Sequence, residues 1–423
     1  MYKRIVLKNG LRIILAPKKE NLTTTVLVLV EAGSKYETKE INGLSHFLEH
    51  MCFKGTEKRS GKMEIASDLD NIGAGFNAFT SQEYTGYYAR AENKHFEKML
   101  DVISDIYLNS TFPEAEIEKE RGVIIEEINM YEDLPQRRVQ EIFTKLLYGD
   151  QPAGWDIAGE KEVIRKLKRS DFIKYRKNHY VASATTVVIA GNFNEKQAVL
   201  KIKERFSEIS KDKKKGKKKV KESQSEPNVV VKNKKSDQAH LVLGVRAFSA
   251  FDKRRRILGI MSGVLGGGMS SRLFEKLREE MGVAYYVRSE SDLLTDHGVF
   301  QISAGVDVKR IKEVVKVLVG ELKKLKDAEV TDEELARVKN RITGGLSSSL
   351  ETSEDLAQFF GSQEIMGKKI DKPADIIKEV KKITAKDIKK LAGQILKNKG
   401  LNLAVIGPYD KKMEKDLRNI LKL

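Results

Sequence analysis

Apolar positions along this chain recur with two periods, and the order in which those periods alternate occurs twice. Near the start, Arg4-Ile5-Val6-Leu7 and Leu11-Arg12-Ile13-Ile14-Leu15 are apolar-rich runs on either side of Asn9-Gly10. An Asn-Gly pair in that setting predicts a β-hairpin. Thr25-Val26-Leu27-Val28-Leu29-Val30 predicts a strand that runs into Glu31-Ala32-Gly33-Ser34, and Gly86-Tyr87-Tyr88-Ala89-Arg90 predicts another. The period then changes. Phe96, Met99, Leu100, Ile103, Ile106 and Tyr107 fall three and four residues apart, as one face of a helix requires. A second helix starts at Phe112-Pro113-Glu114-Ala115-Glu116-Ile117, and Val187-Val188-Ile189-Ala190-Gly191 closes the series as a strand.

The same series follows in the second half. His240-Leu241-Val242-Leu243-Gly244-Val245 and Gly298-Val299-Phe300-Gln301-Ile302 read as strands. Ile311, Val314, Val315, Leu318, Leu322 and Leu325 make a helix face. Val330-Thr331-Asp332-Glu333-Glu334-Leu335 opens another helix, and Leu403-Ala404-Val405-Ile406-Gly407 closes on a glycine. The simplest explanation is a duplicated α+β domain, each copy a β-sheet covered on one face by helices.

Length agrees, since 423 residues exceed what one core serves and suit two domains of roughly 200. Charge places the boundary. Between Lys211 and Lys221, eight lysines and one aspartate supply +7 of the net +17. A run of like charge predicts a solvated linker. The expected organisation is therefore an N-terminal domain at 1–209, a Lys-rich linker at 210–234 and a homologous C-terminal domain at 235–423. No aromatic residues interleave the lysines and no nucleic-acid motif accompanies them, so nucleic acid is not an expected partner. With no run of 18 apolar residues and a mean hydropathy of −0.43, no membrane span is expected. The chain enters a strand directly, without an apolar leader, so a cytoplasmic location is expected. Its single cysteine, Cys52, excludes an intrachain disulfide. Cys52 lies two residues after His50, but a small buried residue is the better expectation there than a thiolate ligand.

Candidate chemistry is confined to the first copy. Asn42-Gly43-Leu44-Ser45-His46-Phe47-Leu48-Glu49-His50-Met51 reads as a helix. The i, i+4 spacing puts His46 and His50 on one face with Cβ atoms about 5–6 Å apart. Two imidazoles so placed can share a zinc ion, at about 2.0–2.1 Å each. Glu49 lies on the same face and can reach a water beside the ion. A third ligand should come from an acid on another helix. Glu120 and Glu127 are seven apart on one face of a predicted helix, about 10 Å apart along its axis. One ion can hardly take both, so one coordinates and the other acts beside it. Glu126 points about 100° away. Pairing Phe112 with Val330 aligns Glu120 with Val338 and Glu127 with Gly345, and the region matching the His46–His50 segment reads Ile257-Leu258-Gly259-Ile260-Met261-Ser262-Gly263. The special residues are present together in one copy and absent together from the other, as a functional set would be.

With these residues the sequence resembles the pitrilysin (M16) metallopeptidases, whose signature is the inverted His-x-x-Glu-His. It is most similar to short bacterial members related to mitochondrial processing peptidase. The resemblance spans essentially the whole chain. It rests on His46 through Met51 with Phe53-Lys54-Gly55-Thr56, on Asn77-Ala78-Phe79-Thr80, on Glu120-Arg121-x-Val123 through Glu127, on Asp133-Leu134-Pro135, on Gly266 through Phe274, and on Arg278 with Tyr285. It implies a duplicated pitrilysin-type fold with zinc held by His46, His50 and Glu127. It implies Glu49 as general base and Glu120 as an acid assisting proton transfer. Arg278 and Tyr285 would hold the substrate carbonyl and stabilise the oxyanion. Asn77, Ala78 and Phe79 match the edge strand that pairs with substrate backbone. The implied substrates are unstructured peptides taken into a closed chamber, and one active half per chain points to a homodimer. Processing-peptidase relatives read a substrate arginine with acids beyond the third ligand, and Arg137 and Arg138 lie in that neighbourhood here, so the resemblance does not extend to an Arg-directed specificity.

Overall fold

The computed structural model describes residues 2–423 except Lys62. The chain forms two compact units. One comprises Met1–Asn129, Trp155–Lys218 and Ser347–Asp371, and the other Met130–Gly154, Lys219–Leu346 and Lys372–Leu423.

In the first unit, strands β1 (Lys3–Val6) and β2 (Arg12–Pro17) form the hairpin, with Gly10 at φ 91° in its loop. Strands β3 (Thr23–Val30), β4 (Gly75–Thr80), β5 (Thr85–Glu92) and β6 (Thr185–Gly191) complete a sheet of order β1-β2-β6-β3-β5-β4. β2 and β6 run parallel and the other neighbours antiparallel. Successive side chains of a strand face opposite ways. In β3, Val26, Val28 and Val30 enter a core with helices α1 (Leu44–Met51), α2 (Phe96–Asn109) and the first turns of α3 (Glu114–Asp133). Leu27 and Leu29 point to the other face.

In the second unit, strands β7 (Asn228–Asn233), β8 (Gln238–Arg246), β9 (Ala284–Leu293), β10 (Gly298–Asp307) and β11 (Asn402–Gly407) form a sheet of order β7-β11-β8-β10-β9. β7 and β11 are parallel and the rest antiparallel. Strand for strand this is β2-β6-β3-β5-β4 again, so the duplication inferred from hydrophobic pattern is a duplication of topology. The helices Arg255–Gly266, Ile311–Asp327 and Ala385–Ile395 pack on one face of this sheet.

Each sheet also carries one helix on its second face, drawn from the other half of the chain. Helix α4 (Pro135–Tyr148) belongs to the second unit, where Val139, Phe143 and Leu147 bury against Val242, Ala404 and Ile406. The helix Ser353–Ile365 belongs to the first unit, where Ala357, Phe360 and Ile365 cover Ile14, Leu27, Leu29 and Val188. β3 reads as an unbroken apolar run for this reason, because a strand buried on both faces has no polar side. The two units therefore differ from the linear division at 1–209, 210–234 and 235–423. Two helices are exchanged, and β7 lies inside the stretch expected to be linker. Parallel pairing of β7 with β11 draws that segment into the sheet.

The lysine run is mostly exposed but not loose. Lys214 pairs with Glu31 at 2.7 Å. Lys217 reaches Glu83 at 3.0 Å and lies over the Tyr36 ring. Glu83 also bonds the buried Lys35 at 2.9 Å. On the second unit, the backbone amide of Lys221 donates to Gln151 at 2.9 Å. No helix among the described residues is long and apolar enough to cross a membrane.

Candidate metal centre

Helix α1 starts at Leu44, two residues later than the sequence pattern predicts, because Gly43 takes φ 95°. That conformation favours glycine, and a Cβ there would lie 2.6 Å from the Ala158 carbonyl oxygen. The helix has no cap from its own flanking residue. Glu37, fully buried, takes that part. Its Oε2 accepts from the Gly43 amide at 2.8 Å and from Asn42 Nδ2 at 3.1 Å, and its Oε1 accepts from the Ser45 amide at 2.7 Å. A carboxylate suits a helix N-terminus, where amides are unpaired and the dipole is positive. Burial nevertheless pushes the Glu37 pKa up, to about 7, against the lowering effect of those bonds.

So anchored, α1 presents His46, Glu49 and His50 together, while Phe47, Leu48 and Met51 on its other side are buried in the core. The imidazole centroids of His46 and His50 are 4.7 Å apart. Glu127 of α3 closes the triangle. Its Oε2 lies 3.6 Å from His46 Nε2 and 3.7 Å from His50 Nε2. Among the described residues, these three form the one group of His, Cys, Asp or Glu side chains whose donor atoms all lie within 4.8 Å. Donors on a tetrahedral ion at about 2.0–2.1 Å stand about 3.3–3.4 Å apart. The separations are a few tenths of an ångström wider, and two imidazoles with one carboxylate are a zinc donor set, so the residues fit zinc.

Glu120, one turn pair earlier on α3, does not join them. Its Oε1 is 2.9 Å from His50 Nδ1 and its Oε2 is 2.6 Å from Lys54 Nζ. Burial raises the Glu120 pKa, but the bonds to His50 and Lys54 outweigh it and hold the carboxyl below its ordinary value. The two glutamates seven apart thus take separate places, one at the donor triangle and one behind an imidazole. Glu126 is exposed and accepts from Asn129 at 3.2 Å.

Glu49 is 8% exposed, and burial raises its pKa against an opposing bond from Thr80. That bond, Thr80 Oγ1 to Glu49 Oε2, is 2.5 Å. Thr80 ends β4, the strand at the sheet edge that carries Asn77, Ala78 and Phe79. Cys52 is buried with its thiol on the Tyr87 hydroxyl at 3.4 Å, apart from the donor triangle. A cavity of about 590 Å³ in the same unit, lined by Tyr107, Phe112, Arg169, Arg176 and Tyr180 among others, includes none of the donors.

In the second unit, Val338 stands where alignment puts Glu120, and its methyl group would lie 2.5 Å from a Cβ built on Gly263 of the helix corresponding to α1. Close apolar packing fills the place the first unit gives to ionisable groups. Arg278 and Tyr285 are neighbours on this unit. The guanidinium donates to the Tyr285 carbonyl and lies 5.6 Å from the centre of its ring, and Tyr285 is 71% exposed at the start of edge strand β9. Arg137 lies over the Tyr131 ring, and Arg138 pairs with Glu141 at 2.6 Å. No sequence pattern assigns a task to Glu37, Lys54 or Thr80: Lys54 and Thr80 lie in segments that carry the family resemblance, and Glu37 carries no periodic signal.

Fold and site together define a duplicated α+β protein in which one copy brings His46, His50 and Glu127 together as a group that could hold a metal ion. Two family models cover most of the chain, one described as Insulinase (Peptidase family M16) at residues 12–161 and one as Peptidase M16 inactive domain at 166–342. A Bacillus subtilis protein named as an uncharacterized zinc protease is 35% identical over 96% of this chain and 98% of its own length. A Streptomyces coelicolor protein of the same description is 31% identical over 99% and 92%. A solved structure of a protease from Helicobacter pylori has the same fold, with a TM-score of 0.89 at 24% identity over 96% of this chain and 99% of that one. The chain belongs to the M16 peptidase family, and its relatives support a zinc metallopeptidase at the level of that family.

Proposed function

We propose that the protein is a zinc metalloendopeptidase that hydrolyses unstructured peptides. The observation that carries this reading is the convergence of His46 Nε2, His50 Nε2 and a Glu127 oxygen, with the Glu49 carboxylate on the same helix face. Zinc held by these three residues would acidify water and polarise the scissile carbonyl. Glu49 is the general base, its carboxylate taking the proton as water attacks. Glu120 fixes the His50 ring through Nδ1, which leaves Nε2 as the donor. Second-sphere carboxylates of this kind commonly set ring orientation and ligand basicity.

Substrate enters this reading through β4. An edge strand offers main-chain groups that an extended peptide can pair with, whatever its side chains. Asn77, Ala78 and Phe79 are the residues proposed to do so. Arg278 and Tyr285 are proposed to hold the substrate carbonyl and its oxyanion, and the second unit to close the chamber. These two assignments rest on the family resemblance. A homodimer is also part of the proposal, since each chain has one metal-bearing copy.

The test is metal content of the purified protein together with cleavage of an unstructured peptide, with and without a chelator. One zinc per chain and chelator-sensitive cleavage that zinc restores are expected. A metal-free preparation that cleaves at the full rate would refute the reading.

A further inference from the structure

As a base Glu49 needs one carboxylate oxygen within reach of the reacting water, and a donor on the other oxygen fixes which one that is. Its Oε2 is the held one, accepting from the Thr80 hydroxyl at 2.5 Å. The contact follows from strand geometry. Along β4 the side chains of Phe76, Ala78 and Thr80 share a face, and Phe76 and Ala78 pack against the core that includes α1. Asn77 and Phe79 point the other way, with Phe79 in the opposite core. Thr80 is thereby aimed at α1 by the same pleat that leaves the strand's outer edge to a peptide.

The hydroxyl has one proton to give. Its cross-strand partner is Thr85, whose own hydroxyl donates to the Ala32 carbonyl at 2.9 Å and lies 3.5 Å from Thr80 Oγ1. The Thr80 hydrogen goes to Glu49. We propose that Thr80 is the positioning residue of the base, that it fixes Oε2, and that Oε1 is the oxygen that takes the proton. This rests on the reading of Glu49 as base. It adds to the edge strand a task besides pairing with substrate, because the strand's last residue also orients the catalytic carboxylate.

The test uses the full chain loaded with zinc and an internally quenched unstructured peptide that the wild type cleaves. Thr80→Val keeps the branched shape and removes the hydroxyl, and Thr80→Ser keeps the hydroxyl. Thr80→Val is expected to lower kcat about 10- to 100-fold, the usual range when a partner of a site residue is lost. KM should stay within about twofold and zinc at one per chain, and Thr80→Ser should recover most of the rate. In a Glu49→Gln background, Thr80→Val should add no further loss, since coupled residues are non-additive. Wild-type kcat in Thr80→Val, a loss carried by KM alone, or a serine variant no better than valine would overturn the proposal while leaving Glu49 as base. A Glu49→Gln protein that still turns over would instead remove the base assignment, and this proposal with it.

Discussion

Replacing Glu37 by glutamine tests whether helix α1 depends on a buried carboxylate seven residues before its first residue, Leu44. The wild-type side chain satisfies the Gly43 and Ser45 amides and the Asn42 side chain with two oxygens. An amide has one acceptor oxygen, so at least one buried N–H loses its partner, at about 1–3 kcal/mol each. The penalty should depend on pH. Burial puts the native Glu37 pKa at about 7 against an ordinary 4.5. Between those values the folded protein holds a proton that the unfolded chain has released. The stabilising effect of that proton is complete below about pH 4.5 and is lost as pH rises through about 7. At about 1.4 kcal/mol per pH unit the window amounts to about 3 kcal/mol. Glutamine does not titrate, so Glu37→Gln should cost about 3 kcal/mol more at pH 5 than at pH 8. The assay is urea unfolding of chelator-treated protein followed by Trp155, the sole tryptophan. It sits in the first unit beside Asp156, whose carbonyl accepts from Asn42 at 3.1 Å. An equal penalty at both pH values, or a larger one at pH 8, would refute the reasoning.

The metal assignment separates two adjacent glutamates: Glu127→Gln should lose most of the zinc by elemental analysis and Glu126→Gln should keep it, and the reverse result would move the ligand by one residue. Glu49→Gln should retain zinc and lose nearly all turnover, and activity within about tenfold of wild type would end its role as base. Tyr285→Phe should keep metal and fold yet lose about 10²–10³ in kcat, the worth of one oxyanion donor, and an unchanged kcat would exclude it. A chain ending at residue 209 lacks the helix Ser353–Ile365 and so exposes Ile14, Leu27, Leu29 and Val188. With about 1.5–3 kcal/mol per large side chain uncovered, it should be insoluble when expressed alone, and a soluble, zinc-loaded fragment would show that the exchanged helix is dispensable.

Much of this protein is determined locally and can be read from its sequence. Period-2 and period-3.6 runs mark the hairpin, β3, β5, β6 and α2 in the first copy and β8, β10, β11 and the helix Ile311–Asp327 in the second, because burying one face imposes its period on the residues. The spacing of His46, Glu49 and His50 fixes their common face whatever surrounds α1, since an i, i+4 pair meets on any helix. The separation of Glu120 from Glu127 shows that one ion cannot hold both. Which of them stands at the donor triangle depends on where α3 lies relative to α1, and only tertiary packing decides it. The same holds for the exchange of α4 with the helix Ser353–Ile365. The apolar stripe on each helix states that it must be buried and does not say against which sheet. The lysine run reads as a solvated linker because charge alone cannot reveal that Lys217 meets a buried Glu83. Glu37 and Thr80 are single polar residues without a period, and their partners lie on elements distant in sequence. What such residues do is set by the fold that brings the partners together.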